Sequence, residues 1–197
     1  MLDPAREDVI RRGWLTTLGV LALAAAPGAG QTEALDGVLE VRSAYVNIDH
    51  GVFLLHARVE YPQGPAIRNA LRDGITLDFD LDVRIERERR LWFNANIVDL
   101  TLHRELTYHA VSDRYVVRDV RSGDQETFAT LDEALGYLGR VDAWPILVEP
   151  QLDGGNYTIS VRAGVQRGRM PASLRALLFW RDDWSRQSEW YTWSLPV

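Results

Sequence analysis

The chain has 197 residues, 46% of them apolar and 25% charged, with a formal net charge of −6; that is enough for one well-buried domain and too few for two comfortable ones. Cys is absent and all 22 basic residues are Arg, which excludes disulfides, thiolate nucleophiles, thiolate metal sites, Schiff-base chemistry and the lysine-dependent phosphate loop. The negative charge sets the surface against nucleic acid, and the one dense basic run (Arg84, Arg87, Arg89, Arg90) is interleaved with Glu86 and Glu88.

At the N-terminus, Arg6, Arg11 and Arg12 precede an apolar stretch from Trp14 to Ala26, then the small-residue run Pro27-Gly28-Ala29-Gly30 and the polar Gln31. A basic region, a short apolar stretch and small residues form the pattern of a secretory signal peptide. Residues 1–30 are expected to be that leader, with small side chains at Gly28 and Gly30 suited to cleavage before Gln31. The stretch is shorter than the about 20 residues a membrane-spanning helix needs. Arg11-Arg12 also looks like a twin-arginine signal, but no cofactor site that would demand folding before export is visible, so the general secretory route is favoured. The expectation is a periplasmic protein with no membrane span once the leader is removed.

Residues 31–197 read as a single domain dominated by alternation. In Thr76–Glu86, Leu77, Phe79, Leu81, Val83 and Ile85 share one face, while Asp78, Asp80, Asp82, Arg84 and Glu86 share the other. Side chains in a strand point alternately to its two faces, so this is a half-buried strand. The same period runs through Phe53–Tyr61 and Tyr157–Val165. Further strands are expected at Val38–Ile48, Leu91–Leu102, Glu105–Ala110, Tyr115–Val120, Trp144–Glu149 and Ser188–Ser194. Turn residues lie at Asn47–Gly51, Ser122–Asp124 and Leu152–Asn156, where Gly, Asn and Asp tolerate positive φ.

Short helices interrupt this pattern. Pro65 suits a first helical position, with Ile67, Ala70 and Leu71 as an apolar stripe and Gly74 as a terminator. Thr130-Leu131-Asp132-Glu133 is a capping box, followed by inward Leu131, Ala134, Leu135 and Leu138 and a stop at Gly139. Pro171 opens a third, with Leu174, Leu177 and Leu178 along one side. Strands with one wet face must close their apolar faces in layers, so the fold expected is mainly β: a single antiparallel β-sandwich-like domain with two or three short peripheral helices.

Three groups of residues could carry chemistry. Asp78, Asp80, Asp82 and Glu86 share one strand face, where successive same-face residues lie about 6.5–7 Å apart, a spacing that suits paired carboxylates or part of a Ca²⁺ site, although outward positions of a sheet must be polar in any case. His50, His56, His103 and His109 show no helical metal-ligand spacing such as His-Glu-x-x-His, and no Gly-x-Ser-x-Gly elbow is present. No catalytic residue, metal site or cofactor is therefore expected. Trp180, Trp184, Trp190, Tyr191 and Trp193 crowd the C-terminus, with Trp92 and Trp144 upstream. Aromatic groups of this kind fill cores and also anchor interfaces; Trp184, Trp190 and Trp193 are the candidate binding residues.

Several segments in their order resemble a proteobacterial exported family known as a domain of unknown function (number four-three-nine-zero). They are Leu71–Leu81, Arg90–Phe93, Leu106–Val117, Thr127–Leu135, Met170–Leu174, and Trp184-Ser185 with Ser188, Trp190 and Trp193. The resemblance implies a periplasmic protein and contributes no catalytic residue. Genes of the family often lie beside those of a nitrogen-regulation-type membrane sensor kinase, which suggests an accessory to an envelope sensor. The expectation is thus a non-enzymatic binding or interaction module whose partner is an envelope protein or membrane sensor kinase. The alternatives are a carboxylate-dependent envelope hydrolase and a structural envelope protein.

Overall fold

Apolar residues that recur at every second position need a second layer to cover them, and the fold supplies it. The computed structural model describes residues 35–88, 95–148, 152, 155–169 and 184–195. The chain divides into two units, Met1–Thr32 and Glu33–Val197, and the described residues all lie in the second. The expected leader and the expected helix at Pro171 lie outside the described residues, as do Trp92 and Trp180.

In chain order the elements are β1 (Glu40–Asp49), β2 (Val52–Glu60), α1 (Pro65–Arg72), β3 (Leu77–Arg87), β4 (Ala95–His109), β5 (Arg114–Asp119), β6 (Gln125–Phe128), α2 (Leu131–Leu138), β7 (Arg140–Val148), β8 (Tyr157–Arg167), β9 (Ser185–Gln187) and β10 (Tyr191–Leu195). A three-stranded sheet runs β1-β2-β7. A seven-stranded sheet runs β10-β8-β3-β4-β5-β6, with β9 also paired to β8. All strand pairs are antiparallel, and the protein is mainly β with two helices among the described residues, a sandwich-like arrangement.

The strand expected from Thr76 is the centre of the large sheet, hydrogen-bonded on both sides to β4 and β8. Leu77, Val83 and Ile85 have no exposed surface, and Phe79 and Leu81 almost none. Ile159, Val161, Ala163 and Val165 of β8 extend the same apolar face, and Phe53, Leu55, Ala57, Val141 and Leu147 come from the small sheet. Burying one such aliphatic side chain contributes about 1.5–3 kcal/mol, so a charge at Leu81 or Val161 would be expected to unfold the domain.

Local chemistry sets the connections. His50 and Gly51 both have positive φ and join β1 to β2 as a two-residue hairpin of the type that matches strand twist. Pro65 begins α1, and Gly74, at φ 78°, ends it by donating to the Leu71 carbonyl. Thr130 and Glu133 form the full reciprocal capping box at the start of α2. Gly139 does stand at the end of α2, but for a different reason from Gly74. Its backbone is right-handed, and a Cβ there would lie 2.2 Å from the Val59 carbonyl oxygen. Glycine is required because helix and strand touch backbone to backbone.

The strand boundaries differ from expectation in four places, one of them β7, which begins at Arg140, four residues before the expected Trp144. The expected strands Leu91–Leu102 and Glu105–Ala110 are one continuous strand where they are described, β4. Arg104 occupies an inward position between Leu102 and Leu106, which hides the period. Its guanidinium sits over the Tyr137 ring and donates to the Arg140 carbonyl. The expected strand Ser188–Ser194 is replaced by β9 and β10, both paired to β8. Between them the buried Ser188 bonds Ala163 through backbone and hydroxyl. β6 is a strand that the sequence reading lacks, formed from Gln-Glu-Thr-Phe with no apolar alternation.

Candidate functional site

The polar face of the large sheet concentrates the chemistry. Register places its side chains in rungs across β8, β3 and β4: Gln166, Asp78, Glu105; then Gly164, Asp80, His103; then Arg162, Asp82, Thr101; then Ser160, Arg84, Asp99. Arg118 of β5 extends the first rung beside Glu105, and Thr192 of β10 extends the fourth beside Ser160. The polar residues of β3 are half-buried rather than freely solvated, because their long neighbours on the flanking strands lie over them.

Most of these charges are paired. Asp82 accepts from Thr101 Oγ1 at 2.9 Å and from Arg162 Nη2 at 3.0 Å. Glu105 accepts from both Nε and Nη2 of Arg118 at 3.0 Å, and lies 3.5 Å from the more exposed Arg169. Asp80 contacts Nδ1 of His103 closely and also accepts from Gln166. Asp78, directly opposite Glu105, makes no hydrogen bond or ion pair with a described residue. Burial raises its pKa above the usual carboxylate value; His103 and Arg169 oppose the rise, and Glu105 and Asp80 add to it. Its carboxylate lies directly over Gly168, where a Cβ would come within 2.2 Å of Oδ1. Gly168 is held there by its N–H bond to the Thr76 carbonyl.

The three candidate tryptophans do not form one patch. Trp190 lies on the ladder face, its ring 4.4 Å from the Arg162 guanidinium and 5.1 Å from that of Arg84. The Nε atoms of both arginines are buried without a hydrogen-bond partner among the described residues; stacking on the ring compensates them in part. Trp193 is instead in register with Ile159, on the apolar side, and packs against the core with Tyr191 at 5.6 Å. Trp184 is only 8% exposed and lies over Arg167. Thus the acidic row and Trp190 share one surface through Arg162, whereas Trp184 and Trp193 serve packing.

Sequence reasoning left out His103 and Glu105 as partners of the acidic row. Their signal was the i, i+2 spacing on the strand that follows β3, and it was obscured by the inward Arg104. A second polar cluster decorates the small sheet. There the His56 ring stacks on Tyr45 at 4.7 Å and bonds Asn47 at 2.8 Å, with Asp142 3.8 Å away. Arg58 holds Asp142, and its hydrogen bond lowers that carboxyl below its usual pKa. Between the layers, the opening lined by Val59, Tyr61, Phe79, Leu81 and Arg104 has room for little more than a water molecule.

Fold and surface together define an antiparallel β-sandwich protein that carries a salt-linked, aromatic-clamped sheet face. Residues 37–194 match the family model described as Domain of unknown function (DUF4390), and the chain belongs to that family. No curated protein and no solved structure shows a significant match to the chain.

Proposed function

We propose that the chain is an exported protein whose domain acts in the periplasm as a non-enzymatic interaction module, accessory to a membrane sensor kinase. Export rests on the leader-type sequence before Gln31. No helix among the described residues is long and apolar enough to cross a membrane.

One observation carries the interaction reading: the central charges of the ladder are already fixed by one another. Asp82 sits between Arg162 and Thr101, and Trp190 backs Arg162 and Arg84. A carboxylate locked between two donors is poorly placed to reach a substrate proton. A recognition surface profits from the same rigidity, because side chains already ordered lose little freedom on binding. The hydrolase alternative needs two disengaged carboxylates from the Asp78–Asp82 row, and Asp80 and Asp82 are both engaged.

The chain has no Lys, so amine-reactive crosslinkers reach none of its side chains. A photoreactive residue in place of Asn96, exposed at the end of the ladder, avoids the problem. Crosslinking in intact cells is expected to yield an adduct with a membrane histidine kinase, reduced several-fold by Trp190→Ala while circular dichroism stays unchanged. Adducts that lack any such kinase, or that are indifferent to Trp190→Ala, overturn the proposal. Leakage of the envelope on gene deletion, without an adduct, points to the structural role instead.

A further inference from the structure

Asp78, His103 and Glu105 each offer one donor atom, and these atoms all lie within 4.8 Å of one another. They come from two adjacent central strands, so the backbone positions are fixed by ladder hydrogen bonds on both sides. We infer that Asp78, His103 and Glu105 form a binding site for a divalent transition-metal cation of the zinc type. This inference does not depend on the interaction reading above.

Two features beyond proximity support it. The first is the unanswered charge. Asp78 stands directly across from Glu105, and like charges opposed across strands are destabilising. Asp80, Asp82 and Glu105 each have a partner, whereas Asp78 has none among the described residues. A dication between Asp78 and Glu105 converts that repulsion into attraction. The second is the cradle. The Asp78 carboxylate occupies the space above Gly168 that any other residue would fill with its Cβ, 2.2 Å from Oδ1 and 2.6 Å from Cγ. Gly168 shows no positive φ, so the absence of a side chain, not backbone conformation, is what the position supplies to Asp78.

The donor set defines the class of ion. Imidazole with two carboxylates suits Zn²⁺ and its neighbours better than Mg²⁺ or Ca²⁺, which prefer oxygen alone. Three protein ligands leave a position open for water or a partner group. Donors around a tetrahedral zinc sit roughly 3.4 Å apart, so side-chain rotations of about 1 Å close the site. Glu105 keeps spare lone pairs while bound to Arg118, and the exposed Arg169 can swing away. Asp80 contacts Nδ1 of His103, the role a carboxylate plays behind a metal-bound imidazole. That contact leaves Nε2 as the ring's remaining lone-pair donor. Asp80 is thus a positioning residue.

The test is calorimetric titration of ZnCl₂ into the chelator-stripped full chain, with CaCl₂ in parallel. One Zn²⁺ per chain is expected, together with a rise in melting temperature and far weaker binding of Ca²⁺. Asp78→Asn and Asp80→Asn are each expected to weaken Zn²⁺ binding about 10–100-fold. Gly168→Ala removes no donor group but displaces the Asp78 carboxylate, and is expected to weaken binding at least tenfold. His50→Ala, at a 95% exposed turn position, is expected to change nothing. The inference is overturned by no saturable Zn²⁺ binding, by Ca²⁺ binding as tightly as Zn²⁺, or by affinity that survives Asp78→Asn and Gly168→Ala. Circular dichroism of each variant separates lost binding from lost fold.

Discussion

Two glycines three residues apart in and after α2 offer a test of how that helix is docked. Gly136 is exposed, with nothing within 4 Å of the point where a methyl group would stand, whereas Gly139 is buried against the Val59 carbonyl at 2.2 Å. Both positions have φ compatible with Ala, since neither shows a left-handed value. Gly136→Ala therefore adds helix propensity without a clash and is expected to stabilise by about 0.5–1 kcal/mol. Gly139→Ala must push the helix end away from β2. Overpacking of this kind costs about 1–3 kcal/mol. Separation also removes the hydrogen bond from Val59 N–H to the Gly139 carbonyl, 2.8 Å long and worth about 0.5–1.5 kcal/mol net. The total expected loss is about 1.5–4.5 kcal/mol. At about 2–4 °C per kcal/mol for a domain of this size, Gly139→Ala should melt about 3–18 °C below the parent, and Gly136→Ala about 1–4 °C above it. Thermal unfolding followed by circular dichroism reads both shifts, and hydrogen exchange reads the Val59 amide. Equal melting temperatures for the two variants, or an undiminished protection of Val59, would refute the backbone-contact reasoning.

Three further outcomes follow from the charges and the core. Asp78→Asn removes a carboxylate opposed to Glu105, so the metal-free variant should be more stable than the parent by about 0.2–1 kcal/mol in urea unfolding. Burial raises the Tyr61 pKa well above the ordinary phenol value, while Arg104 pulls it the other way. The unfolded chain then loses its proton first, near pH 10; stability is intact below that pH and falls as pH rises toward the folded value. Tyr61→Phe should flatten this alkaline decline in denaturation midpoints measured from pH 9 to 12. Asp142 behaves oppositely, because the Arg58 hydrogen bond lowers its folded pKa from 3.8. Its contribution is present above that value and lost as pH falls through the lower folded one, so Asp142→Asn should lessen the acid dependence of stability below about pH 4.

The central layers were readable because strict alternation leaves a strand only one way to lie. Leu77–Ile85 and Tyr157–Val165 are the buried rows of β3 and β8, and the Thr130–Glu133 box starts α2 at its expected residue. What the pattern could not convey was context. An inward Arg104 is tolerable only because Tyr137 and the Arg140 carbonyl wait for it, and neither is near it in sequence. β6 carries no period of its own and exists because β5 offers it an edge. The ladder face was half legible: the acidic row was plain, but its partners come from β4, β5 and β8, and register across strands is a tertiary fact. Trp190 likewise joined that surface only once Arg162 and Arg84 were placed beneath it.

The interlocked charges of the ladder also bear on kinetics. Arg118 with Glu105, Arg162 with Asp82 and Arg84 with Asp99 cancel one another over distances shorter than the about 8 Å screening length of physiological salt. A molecule approaching the rungs those pairs occupy, away from Asp78, feels little pull until it touches, so encounter there is expected to proceed at the unsteered rate of about 10⁵–10⁶ M⁻¹s⁻¹ and to respond weakly to ionic strength. Selectivity on such a surface resides in how long a visitor stays, not in how fast it arrives.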